Sequence, residues 1–160
     1  MKLNELNEKD RELIQQAKEA LDGNYDEQKH MVGAAVRCKD GSVFTGVNCR
    51  CIHGSCAEFI AVGAAATAGN KELDTIVAVQ RKDGIDHIVP PCGNCRQMLF
   101  DYCPTVEVIL NANCGQDGRL SNGQPNDTFN AGQIINKQTV KAAISDLLPF
   151  AYVNIENRAD

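Results

Sequence analysis

Cys56, Cys92 and Cys95 offer three thiolates to one metal ion, and Glu58 stands two residues beyond the first of them. Zinc holds its ligands tetrahedrally. Catalytic sites take three ligands from protein and leave the fourth position to water, whereas structural sites close with a fourth side chain. No second Cys-x-x-Cys and no His-x-x-x-His follows Cys95, so the set reads as an open zinc site. Glu58 is close enough in sequence to reach the bound water without ligating metal, which gives the site its own proton carrier. The chemistry this pattern predicts is hydrolysis.

Either half of the pattern alone supports other readings. A lone Cys-x-x-Cys also serves as a structural zinc knuckle or a redox pair, and a non-catalytic zinc-binding module would not require Glu58. The redox reading needs the dithiol to follow a strand and open a helix. The local pattern fits that context, yet it leaves Cys56-Ala57-Glu58 without a role. For Glu58 itself the alternative is a solvated acid on the first turn of a helix, where acids are common.

The elements that must hold these residues show in the periodicity. Leu6, Leu13, Ile14, Ala17 and Leu21 recur at helical spacing, with Asn7 as N-cap and Gly23 as stop. Two short strands are predicted over 32–36 and 43–47, joined through Asp40-Gly41, a hairpin signal. Residues 57–68 read as a buried helix, 75–80 as a strand, 92–102 as a helix, 105–110 as a strand and 139–148 as a final helix before Pro149. The Asn- and Gly-rich stretch 111–136 reads as a long loop. Strand and helix alternate after residue 57, which predicts an α/β fold in one domain spanning 1–160.

Composition narrows the partners. At 160 residues the chain can bury a core without disulfide staples, and no apolar run is long enough for a membrane span. The N-terminus lacks the basic and apolar regions of a secretory signal. Together with the thiolates that the metal requires, this predicts a cytoplasmic, reducing compartment, with Cys38, Cys49, Cys51, Cys103 and Cys114 as free thiols. A net charge of −5, no Trp and 5% aromatic residues argue against a nucleic-acid polymer as partner. A free small molecule is the expected substrate.

Phe44-Thr45-Gly46-Val47-Asn48, Cys56-Ala57-Glu58, Pro91-Cys92-Gly93-Asn94-Cys95-Arg96-Gln97 and Leu147-Leu148-Pro149 resemble the cytidine deaminase superfamily, and within it the blasticidin S deaminases. The resemblance implies a three-layer α/β/α sandwich with a mixed five-stranded sheet. It also implies a homotetramer whose active sites are partly built by neighbouring subunits. It makes Cys56, Cys92 and Cys95 the Zn2+ ligands and Glu58 the residue that carries protons, first from water to ring nitrogen 3 of cytosine and then to the departing amine. Arg96 and the two helix N-termini would offset the excess negative charge of three thiolates.

The same resemblance names the substrate contacts. Asn48 matches the residue that closes the strand and faces the substrate, and Ala57 belongs to the motif around Glu58. His30 aligns with a substrate-contacting position, and Tyr152 matches the C-terminal aromatic that caps the pocket. Asn154 stands where blasticidin S deaminases carry Trp. Cytidine deaminases have Asn-x-Glu where this chain has Asn48-Cys49-Arg50, and a guanidinium pairs with carboxylate or phosphate where Glu would accept a ribose hydroxyl. Arg50 therefore suits an acidic sugar such as that of blasticidin S; the alternative for the site as a whole is deamination of another aminated heterocycle. The alternatives are a turn role for Asn48 and a surface or subunit-interface role for Arg50. His53, in the short loop before Cys56, reads as an ordinary exposed histidine.

Overall fold

A computed structural model describes residues 2–112, 135 and 138–153. The first helix, α1 (Glu8–Asn24), starts in a reciprocal cap. Asn7 Oδ1 accepts from the Asp10 N–H and Asp10 Oδ2 accepts from the Asn7 N–H, both at 3.0 Å. The helix runs through Gly23 and ends one residue later. Strands β1 (Val32–Cys38) and β2 (Val43–Val47) form the expected antiparallel hairpin, with Gly33 opposite Val47 and Arg37 opposite Val43. Helix α2 (Ala57–Thr67) leads to β3 (Leu73–Lys82).

Strand β4 (Ile85–Val89) returns along β3 through Asp83 and Gly84, both with positive φ (52° and 76°). That tight turn matches the twist of the strands. Helix α3 (Gly93–Tyr102) crosses over to β5 (Glu107–Asn111), which lies parallel to β3. Then β6 (Thr139–Ala143) runs antiparallel to β5, and a short helix, α4 (Ile144–Leu147), follows. The sheet order is β2-β1-β3-β5-β6, with β4 pairing the far half of β3.

The sheet thus has six strands, one more than the resemblance implies. Residues 139–148, predicted as one helix, divide into β6 and the four-residue α4. Val140, Ala143, Ile144 and Leu147 do sit at helical spacing, but Lys141 must lie on the α1 face of the sheet. There it reaches Asp10 (3.1 Å) and Glu107 (2.7 Å). The expected loop at 111–136 falls mostly outside the described residues, as do Cys114 and Asn154.

Alternate residues of the strands feed two cores. Ala35, Val77, Val79 and Ile109 pack on Leu13, Ile14, Ala17 and Leu21 of α1. Ala34, Val36, Ile76, Ala78 and Val108 pack on the opposite side against α2 and α3. This is a three-layer sandwich. Two glycines let helices approach the sheet closely. A Cβ on Gly33 would lie 2.5 Å from Ala17 O, and one on Gly46 would lie 2.6 Å from Ala61 N and 2.9 Å from Ala57 O.

Candidate active site

Both halves of the cysteine pattern fall at helix starts. Cys56 is the N-cap of α2, Cys92 is the N-cap of α3, and Cys95 sits in the first turn of α3. Gly46 seats the first turn of α2 on β2, and Arg96 anchors the start of α3, donating through Nε to Pro91 O (2.8 Å) and through Nη1 to Leu147 O (3.0 Å). The Arg96 guanidinium is therefore a staple between α3 and α4.

The three Sγ atoms all lie within 4.8 Å of one another, and Cys56 Sγ is 3.7 Å from Cys92 Sγ. A tetrahedral zinc with Zn–S bonds of about 2.3 Å sets its sulfurs about 3.8 Å apart. The spacing fits zinc. The electrostatics fit as well. Burial pushes the Cys56 and Cys95 thiols up, and the charges of Cys92 and Glu58 add to this. Burial opposes ionisation of Cys92 too, but the Cys95 N–H, its thiol neighbours and the Asn94 N–H outweigh it and hold this thiol below its ordinary range. Ionising all three sulfurs packed this closely would call for a cation among them.

Glu58 is 6% exposed, and burial pushes its carboxyl up; its own N–H and the Cys95 thiol pull the other way. It lines a cavity of about 590 Å³ together with Cys56, Ala57 and Cys92, at the carboxyl end of β3. Asn48 and Arg50 also line this cavity. The Asn48 amide is already engaged: Oδ1 accepts from the Val32 N–H (2.8 Å) and Nδ2 donates to Lys29 O (3.2 Å). The turn role and the wall role therefore coexist.

Two predicted contacts stand apart from the lining. His30 turns its ring to the backbone, with Nδ1 2.6 Å from Asn48 O. Tyr152 is 71% exposed, and its backbone is held by Gln97, which donates to Tyr152 O (2.8 Å) and accepts from the Tyr152 N–H (3.1 Å). Conversely, His53, Gln80, Asn94, Cys49 and Cys51 line the cavity without having been singled out as contacts. Gln80 carried a readable signal, since it lies near the carboxyl end of a strand in an α/β sheet, where ligand crevices form. Of the five cysteines predicted free, the four described ones are unpaired; Cys38 and Cys103 are buried, Cys49 and Cys51 exposed.

The geometry has counterparts in known proteins. The zinc-binding region of cytidine and deoxycytidylate deaminases matches residues 7–111. A blasticidin-S deaminase of Bacillus cereus is 34% identical over 160 residues, covering 95% of this chain and 98% of that protein. A cytidine deaminase of Halalkalibacterium halodurans is 38% identical over 109 residues, 66% of this chain and 80% of its own length. Among solved structures, cytidine deaminase from Burkholderia pseudomallei superposes with a TM-score of 0.64 at 28% identity, over 92% of this chain and all of the other. The matched stretch contains all three cysteines and Glu58, and the chain belongs to the cytidine and deoxycytidylate deaminase family of hydrolytic enzymes.

Proposed function

We propose that residues 1–160 form one zinc-dependent deaminase domain that converts the cytosine ring of a free nucleoside, of the blasticidin S or cytidine type, to uracil and ammonia. The observation that carries this reading is the buried Glu58 on the wall of a 590 Å³ cavity beside three converging thiols. Cys56, Cys92 and Cys95 would hold Zn2+, which when bound would act as a Lewis acid and make water nucleophilic near neutral pH. Glu58 accepts a proton from the attacking water and gives it to ring nitrogen 3 as the bond from oxygen to carbon 4 forms. It then moves the second water proton to the amine, and the bond from carbon 4 to nitrogen breaks with release of ammonia. Ala57 opens α2 beside the ring.

Arg50 on the cavity wall favours a substrate with an acidic substituent, which supports the blasticidin S side of the pair. Exposed Ile52, Phe150 and Tyr152 are apolar surfaces suited to being covered by neighbouring copies, in keeping with a homotetramer in which Tyr152 serves another subunit's pocket. Free thiols at Cys49 and Cys51 suit a reducing cytoplasm. No described helix is long and apolar enough to cross a membrane.

Incubation with cytidine, deoxycytidine and blasticidin S, following loss of the cytosine absorbance, tests the reaction; zinc bound at one equivalent per chain with no turnover of any would refute it. Arg50→Ala should cut the efficiency on blasticidin S roughly 10- to 100-fold more than that on cytidine, the worth of a charge-assisted bond. An unchanged ratio would remove Arg50 from substrate choice.

A further inference from the structure

The cavity wall from Asn48 to Ser55 leaves the sheet at the end of β2, and its base is tied to the segment that precedes β1. The Asn48 N–H donates to Val32 O (3.0 Å) and the Arg50 N–H donates to Lys29 O (3.1 Å), beside the two bonds of the Asn48 side chain already described. His30 adds a tie of another kind. Its Nδ1 lies 2.6 Å from Asn48 O, and a carbonyl oxygen only accepts, so Nδ1 carries the hydrogen. The ring is presented by a stiff turn. Asp26 and His30 exchange both backbone bonds (3.1 and 2.9 Å), while Asp26 Oδ1 accepts from the Gln28 and Lys29 N–H groups (2.8 and 3.0 Å).

Asn48 O belongs to the planar peptide that also carries the Cys49 N–H. That N–H donates to Ser55 O, and the Ser55 N–H returns a bond to Cys49 O, both at 2.9 Å, closing the neck of the wall immediately before Cys56. One imidazole thus fixes a peptide plane whose two ends govern the neck and the start of the wall. Arg50 is the next residue along.

We propose that His30 is a positioning residue: by holding the Asn48 carbonyl it sets where Arg50 stands in the cavity, and it acts on substrate affinity through Arg50 without touching substrate. The affinity part rests on the nucleoside reading of the cavity. Without the Nδ1–H the peptide plane keeps only the bond of its Cys49 N–H end, its carbonyl end can swing, the neck loosens and Arg50 loses its fixed place.

Three variants separate this from a general loss of stability. His30→Asn keeps an amide donor near the place of Nδ1, His30→Gln moves it outward, and His30→Leu removes it. Hydrogen exchange of the peptide covering residues 48–55 should speed up about tenfold in the Leu and Gln variants and stay near wild type in the Asn variant. KM for blasticidin S should rise about tenfold in the same two variants while kcat changes less than about threefold. In combination with Arg50→Ala, the His30→Leu change should raise KM by less than about twofold further, because the two residues act in series. Unchanged exchange in the Leu variant overturns the proposal. So does an Asn variant as damaged as Leu, or full multiplication of the two effects on KM. The exchange measurement uses no substrate, so a protein that turns over none of the nucleosides refutes the nucleoside reading while exchange still decides whether His30 holds the wall.

Discussion

Replacing Gly46 by Ala should damage both stability and metal binding. The added Cβ would meet Ala61 N at 2.6 Å, Ile60 Cβ at 2.8 Å and Ala57 O at 2.9 Å, where ordinary contact begins at 3.4 Å. Two of these atoms are backbone, so the first turn of α2 must retreat by roughly 0.5–0.8 Å, an overpacking strain of about 1–3 kcal/mol. Reduced freedom of the unfolded chain offsets only about 0.4–1 kcal/mol, so the variant should be less stable. The retreat also carries Cys56 away from Cys92, from which its sulfur lies 3.7 Å, and about tenfold weaker zinc binding should follow. Gly33→Ala is the control. Its Cβ would lie 2.5 Å from Ala17 O on the α1 side, so stability should fall with zinc affinity nearly intact. Urea unfolding gives the first quantity and competition with a chromophoric chelator the second. Equal zinc affinities for the two variants would refute the argument that Gly46 sets the position of the cysteine.

Glu58→Gln fills the same volume without moving protons, so zinc content should persist while kcat falls about 10²- to 10⁴-fold; near wild-type turnover would show that the proton carrier lies elsewhere. Cys92→Ala should lose the metal and lower the unfolding midpoint in zinc-containing buffer, since metal binding by two separate segments contributes folding free energy. Elemental analysis showing unchanged zinc would exclude Cys92 as a ligand. Asp10 is fully buried and, although burial pushes its carboxyl up, the Asn7 N–H, Arg37 and Lys141 bring it below the ordinary carboxylate range. Its stabilisation is therefore complete above the unfolded value of about 3.9 and is lost as pH falls through the depressed folded value. Asp10→Asn should cost about 3 kcal/mol at neutral pH by leaving Arg37 and Lys141 short of a partner, and should flatten the acid limb of stability against pH. An acid limb as steep as wild type would assign that dependence to other groups.

The converging cysteines were legible because their spacing encodes chemistry directly, and α1, α2 and the first hairpin because apolar period and turn residues agree. Two strands were not. Asp83-Gly84 carries the same hairpin signal as Asp40-Gly41, but Asp86 and His87 break the apolar run that usually identifies a strand. Here Asp86 is held by Arg81, with bonds of 2.6 and 2.8 Å. Lys141 hid β6 in a similar way, since a buried lysine is invisible to hydrophobic pattern and is tolerated only because Asp10 and Glu107 surround it. At the site, sequence placed Glu58 and the cysteines but could not separate the residues that face the cavity from those that orient its wall. His30 and Asn48 both point to backbone partners distant in sequence, and such bonds leave no local signature.

The cysteines and Glu58 are carried by two helix starts, whereas Arg50, Cys51 and His53 hang from a loop that closes on itself between Cys49 and Ser55. Under the proposed function, chemistry and substrate choice therefore reside on separately anchored pieces. That loop can be lengthened, shortened or recharged without moving the helix starts that carry Cys56, Glu58, Cys92 and Cys95. One reaction centre can in this way stay intact while the molecules brought to it change.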